Sequence, residues 1–139
     1  MIRVLLADDH TVIRDALRYL LEAQGDIEVV ALAADGQEAV EKARLGCPDV
    51  VVMDVSMPRM DGIAATKQLC EYCPHTRVVM LTIYQTTEHV ERALRAGASG
   101  YVLKDSAGQE LVDAVRTLHQ GGRYFSSSVA EIGNRFRAE

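Results

Sequence analysis

The run Val50-Val51-Val52-Met53-Asp54 is four apolar residues closed by an acid. A strand with one face in water alternates apolar and polar residues, whereas a strand covered on both faces reads as an unbroken apolar run. Four other runs share this character: Val4-Leu5-Leu6-Ala7, Val29-Val30-Ala31-Leu32, Val78-Val79-Met80-Leu81 and Tyr101-Val102-Leu103. Helical stripes lie between and after them. Ile13, Ala16, Leu17, Leu20 and Leu21 recur at the spacing of one helix face, as do Ala39, Val40 and Ala43. The same holds for Ile63, Thr66, Leu69 and Cys70, for Val90, Ala93 and Leu94, and for Leu111, Ala114, Val115 and Leu118. The pattern is five βα units, which predicts a parallel sheet with right-handed crossovers and helices on both faces. Five units are too few to close the eight-fold barrel.

The expected fold is therefore α/β, a doubly wound (βα)5 sheet with the flavodoxin-like strand order 2-1-3-4-5. Ligands of such sheets sit at the carboxyl ends of the strands where the winding reverses, here between strands 1 and 3. The residues that leave the strands at that edge are Asp8 and Asp9, Asp54, Thr82 and Lys104. Singly, each has an ordinary explanation as a helix cap, a turn former, a strand residue or a solvated charge. Capping needs neither the lone ammonium nor the second acid, so together the five read as a site. Three close carboxylates repel one another, and at neutral pH either one keeps a proton or a cation lies among them. A few hard oxygen ligands that leave room for waters and a phosphoryl group suit Mg2+. The hydroxyl and the ammonium are donors for phosphoryl oxygens. Asp54 stands alone on the central strand and is the candidate nucleophile; with a reference pKa of ~3.9 it needs no base to ionise it.

Composition bounds the remainder. The 139 residues hold 15 Lys plus Arg against 20 Asp plus Glu, a net charge of −5 that disfavours direct grip on a nucleic-acid backbone. The longest apolar run, Val29 to Ala34, falls far short of the ~20 residues of a membrane helix. No basic region, apolar stretch and cleavage site open the chain, so a cytoplasmic home and no membrane association are expected. Cys47, Cys70 and Cys73 are odd in number and suggest no paired framework, and the C-x-x-C spacing of Cys70 and Cys73 lacks the context of a redox or zinc motif.

The paired acids Asp8-Asp9, the segment Met53-Asp54-Val55-Ser56-Met57-Pro58 with Met60-Asp61-Gly62, Leu81-Thr82, and Tyr101-Val102-Leu103-Lys104 resemble, in order and spacing, the receiver domain of two-component response regulators. The resemblance spans residues 2 to about 120 and makes 1–121 the receiver. It implies that Asp54 takes phosphate from a sensor histidine kinase or a small phosphodonor. It also implies that Asp9 binds Mg2+ directly, Asp8 binds it through water, and the backbone carbonyl of Ser56 completes the protein ligands. Thr82 would move toward phosphorylated Asp54 while Tyr101 turns inward, and Ser56 and Tyr84 would border the path of an attacking water. Lys104-Asp105 departs from the commoner Lys-Pro of the family. With His89 to Tyr101, it resembles the NarL/FixJ subfamily, whose members carry a LuxR-type helix-turn-helix domain. DNA binding is then implied for a longer parent, and a homodimer on phosphorylation is expected.

Residues 122–139 read as a linker, or the start of a linker helix, toward such an output domain. Val129, Ile132 and Phe136 share a helix face, for which the sequence offers no obvious packing partner. One rival is a phosphatase of haloacid-dehalogenase-like type that passes through an aspartyl phosphate. That chemistry wants a second acid two residues after the nucleophile, and position 56 is Ser. Another is a receiver-shaped interaction module that is never phosphorylated.

Overall fold

The computed structural model describes residues 1–136. Its core strands are β1 (Ile2–Ala7), β2 (Ile27–Ala33), β3 (Val50–Asp54), β4 (Arg77–Thr82) and β5 (Gly100–Leu103). They alternate with helices α1 (Thr11–Glu22), α2 (Gly36–Arg44), α3 (Gly62–Tyr72), α4 (Thr87–Arg95) and α5 (Ala107–His119). A short 3-10 turn, Lys104–Ser106, leads from β5 into α5. All five apolar runs form strands, and the order 2-1-3-4-5 is found, but β6 (Tyr124–Phe125) continues the sheet beside β5. The sheet therefore has six strands, all parallel, where five were expected.

The inner strands β1, β3 and β4, with β5, bury both faces, whereas the edge strand β2, expected to be covered on both, leaves Glu28 and Val30 exposed. Leu5, Ala7, Val51, Met53, Val78 and Met80 pack with α2, α3 and α4, whereas Val4, Leu6, Val50, Val52, Val79 and Leu81 pack with α1 and α5. The period of two thus persists inside each apolar run, hidden because each face has its own helical layer.

The described part of the tail packs on the receiver. Ser126 N–H donates to Tyr101 O at 3.0 Å, and Ser126 Oγ accepts from Leu103 N–H at 3.0 Å, which fixes β6 against β5. A 3-10 turn, Ser127–Val129, leads into α6 (Ala130–Arg135), which lies against α4. Val129 is fully buried, and Ile132 and Phe136 pack on the same core. The face shared by Val129, Ile132 and Phe136 does find a partner: the layer of the receiver that carries α4. Arg123 fastens the turn by donating to Gly133 O at 3.1 Å and Phe136 O at 3.2 Å. Residues 137–139 of the expected linker lie outside the described residues.

The cysteine expectation is also corrected. Cys47 and Cys73 form a disulfide with a Cα–Cα distance of 5.6 Å. The two residues follow the carboxyl ends of α2 and α3, which parallel winding sets side by side on one face, a proximity that spacing in sequence does not reveal. Cys70 keeps a free, partly buried thiol, and burial pushes its pKa up. No helix among the described residues is long and apolar enough to cross a membrane.

Candidate functional site

Asp54 ends β3, Asp8 and Asp9 follow β1, Thr82 ends β4 and Lys104 follows β5, so one sheet edge presents all five. Register makes this possible: Ala7 pairs with Met53, Asp54 with Leu81, and Thr82 with Leu103. Four neighbouring strands, β1, β3, β4 and β5, therefore end nearly level, and the polar residue that closes or follows each falls at the rim.

Asp54 is almost fully buried. Its Oδ2 accepts from Lys104 Nζ at 3.2 Å, and its Oδ1 accepts from Ser56 N–H at 3.3 Å. Burial, seconded by the charge of Asp8, pushes its pKa up to about 6 against the pull of Lys104. Asp8 is fully buried; its Oδ1 accepts from His10 N–H at 2.9 Å, and Lys104 Nζ stands 3.7 Å from its Oδ2. Lys104 thus bridges two buried carboxylates, one charge against two.

Asp8 Oδ2 and Asp9 Oδ1 are buried without a hydrogen-bond donor. Such atoms are costly to leave alone, and two of them facing one small space fit a cation. Ligand atoms of Asp8, Asp9, His10 and Asp54 lie within 4.8 Å of one another. The donor set fits Mg2+ through its carboxylate oxygens. His10 is a member of the cluster that sequence reading passed over, though it directly follows the paired acids. Its ring Nδ1 lies 3.2 Å from both Asp8 Oδ1 and Asp9 Oδ1.

On the other side of Asp54, Thr82 Oγ1 accepts from Tyr84 N–H at 3.1 Å. Tyr101 is wholly inside the domain, and its hydroxyl donates to Tyr84 O at 2.9 Å. Burial pushes the phenol up to about 12. Tyr84 in turn stacks on His89 with ring centroids 4.3 Å apart. Ser56 is exposed on the β3–α3 loop, residues 55–61. That loop is closed by Gly62 N–H donating to Val55 O at 2.8 Å; a side chain at Gly62 would overlap the Asp54 carbonyl oxygen.

A family model for the response regulator receiver domain matches residues 4–116. The transcriptional regulatory protein YxjL of Bacillus subtilis is 43% identical over 99% of the chain, which spans 64% of that relative's length. A two-component response regulator of the LuxR family from Aurantimonas superposes with a TM-score of 0.90 and 38% identity, covering 96% of this chain and 95% of that one. RcsB, solved as two dimers bound to two parallel DNAs, superposes with a TM-score of 0.84 at 25% identity, over 99% of this chain and 70% of that one.

Proposed function

The chain belongs to the response regulator receiver domain family, and on that premise we propose that it is a phosphorylation switch in which Asp54 accepts the phosphoryl group. The observation that carries this reading is Asp54 itself: a buried carboxylate held between Lys104 and the unsatisfied oxygens of Asp8 and Asp9. A carboxylate oxygen of Asp54 attacks phosphorus in a phosphohistidine of a sensor histidine kinase, or in a small acyl phosphate. The bond from phosphorus to the donor nitrogen or oxygen breaks, and the leaving atom keeps its electron pair; a leaving imidazole nitrogen takes a proton from solvent or the donor protein, whereas a leaving carboxylate stays ionised. With a pKa of about 6, Asp54 is mostly ionised at neutral pH and needs no base.

Lys104 is placed to neutralise charge on the incoming phosphoryl oxygens, and Thr82 to donate its hydroxyl to one of them. Asp8, Asp9, Asp54 and the Ser56 carbonyl would hold Mg2+, whose charge favours the crowding of anionic oxygens at this edge. Outside its own phosphorylation and dephosphorylation, the domain performs no catalysis in this reading.

The output is conformational. A phosphoryl group on Asp54 adds charge and acceptors that draw Thr82 away from Tyr84 N–H. Tyr101 already lies inside in this structure, so the change falls on its bond to Tyr84 and on α4, rather than on entry of its ring. In a longer cytoplasmic parent, residues 1–121 would be the receiver and 122–139 would lead to a LuxR-type DNA-binding domain. A homodimer formed on phosphorylation would pair two such domains on DNA, a reading supported by the similarity to RcsB, which was solved as dimers bound to DNA.

The test is intact mass after incubation with acetyl phosphate and Mg2+, beside EDTA and Asp54→Asn. One phosphoryl group, absent in both controls, is the expected result. No adduct together with no binding of beryllofluoride would leave the domain a silent interaction module and refute the proposal.

A further inference from the structure

Within the β3–α3 loop, the chain is tied to its own strands at both ends, and between them it keeps one internal backbone bond, from Met60 N–H to Pro58 O at 2.7 Å. Val55 N–H donates to Leu81 O at 3.2 Å, and Gly62 closes back on Val55. Ser56 keeps only the 3.3 Å contact from its N–H to Asp54 Oδ1. The middle of the loop is instead fastened to a different part of the sheet edge, the turn between β2 and α2. There Asp35 is 3% exposed, and its Oδ1 caps α2 by accepting from Glu38 N–H at 2.8 Å. Its Oδ2 accepts from Arg59 Nε at 2.9 Å and also from Arg59 Nη2. Beside this pair, Gly36 N–H donates to Met60 O at 2.9 Å, and a side chain at Gly36 would overlap that oxygen.

Arg59 takes up this position at a conformational cost. Its φ is +65°, a left-handed backbone that residues with a Cβ adopt reluctantly. A residue stays in such a conformation when its surroundings over-determine it. Here the surroundings are a buried carboxylate that two guanidinium nitrogens reach at once. Both Asp35 and Arg59 lie outside the phosphoacceptor site, and neither has a part in the chemistry above.

We infer that the Asp35–Arg59 ion pair is a positioning device for the metal site: it sets the course of the β3–α3 loop and thereby aims the Ser56 carbonyl at the cation. The inference rests on the reading of Asp8, Asp9 and Asp54 as the Mg2+ ligands of a receiver. Its test exploits a sign. Removing a positive charge near an acidic cluster should, by Coulomb attraction alone, tighten the binding of a divalent cation. Loss of the latch should weaken it.

The substitution is Arg59→Gly, which removes the guanidinium and its hold on the loop while leaving the positive φ free of steric cost, so that a loss of binding reports the missing latch and not a strained backbone. Calorimetric titration of the chain with Mg2+ should show a dissociation constant raised at least about threefold, with the thermal midpoint in EDTA close to that of wild type. Arg59→Lys keeps the charge without the two-pronged contact and should fall between. An unchanged or tighter Mg2+ constant in Arg59→Gly would overturn the inference and leave the receiver reading intact. Wild-type chain that neither binds Mg2+ nor takes up a phosphoryl group would overturn both.

Discussion

Asp54 is expected to cost the fold stability in exchange for function, and the cost can be weighed. Its pKa is about 6 in the folded domain against 3.8 for the free side chain, a gap worth about 3 kcal/mol. The sign follows from proton counting. Between pH 3.8 and about 6 the folded state holds the proton more tightly than the unfolded chain, so stability falls as pH rises through that window. The full cost is present above it. Asp54→Asn removes the buried charge together with its repulsion from Asp8 and its attraction to Lys104, both of which the pKa of about 6 already includes. The expectation at pH 7.5 in EDTA is a variant more stable by about 3 kcal/mol, or roughly 8–12 °C in midpoint for a domain of this size. At pH 4.5 the advantage should have shrunk to about 1 kcal/mol, since that pH lies within the window. Urea and thermal unfolding of both proteins at the two pH values, with EDTA, is the assay. A variant no more stable than wild type at pH 7.5, or an advantage that does not shrink on acidification, would refute the account of Asp54 as a strained buried charge.

Mg2+ offers a companion measurement: at ten times its dissociation constant it should stabilise wild type by about 1.4 kcal/mol and Asp54→Asn by less, read as the shift in midpoint on adding the ion. Reduction of the Cys47–Cys73 bond, which spans 26 residues of chain, should cost about 3 kcal/mol through the entropy of the unfolded state. Thermal melts with and without dithiothreitol check this, and Cys47→Ala should abolish the difference. Gly62→Ala should lower the midpoint by well over the effect of an ordinary surface change, because its methyl group meets the Asp54 carbonyl. Val129→Ala should cost about 2 kcal/mol by chemical denaturation, since Val129 is buried under α4; a terminus that merely frays would show no loss.

The strands and the rim were legible because both follow from short-range pattern. Continuous apolar runs mark doubly covered strands, and the first polar residue after each marks the shared edge, so Asp8, Asp9, Asp54, Thr82 and Lys104 could be named together. What escaped depends on contacts distant in sequence. Tyr124-Phe125 is too short to read as a strand, and it becomes one only because the edge of β5 is open beside it. The apolar face of Val129, Ile132 and Phe136 was visible, whereas its partner α4 is set by the path of the chain after Gly122. The Cys47–Cys73 bond needs α2 and α3 to end side by side. The latch at Arg59 combines a left-handed backbone with a carboxylate 24 residues away, and neither leaves a mark in composition. Pattern finds the edge where chemistry is placed; the three-dimensional path decides what braces it.

Tyr84 is held at both ends of its own peptide framework, its N–H by Thr82 and its carbonyl by Tyr101. The two side chains therefore do not report on Asp54 independently. If Thr82 turns toward a phosphoryl group, the amide of residue 84 is released, and the same residue's carbonyl must either drag the Tyr101 hydroxyl along or give it up. Halfway arrangements leave a buried donor or acceptor without a partner, which makes them short-lived. Resonances of Tyr101 and of the β4–α4 loop should accordingly broaden and shift as one process with a single exchange rate, and a graded series of intermediate positions should be absent.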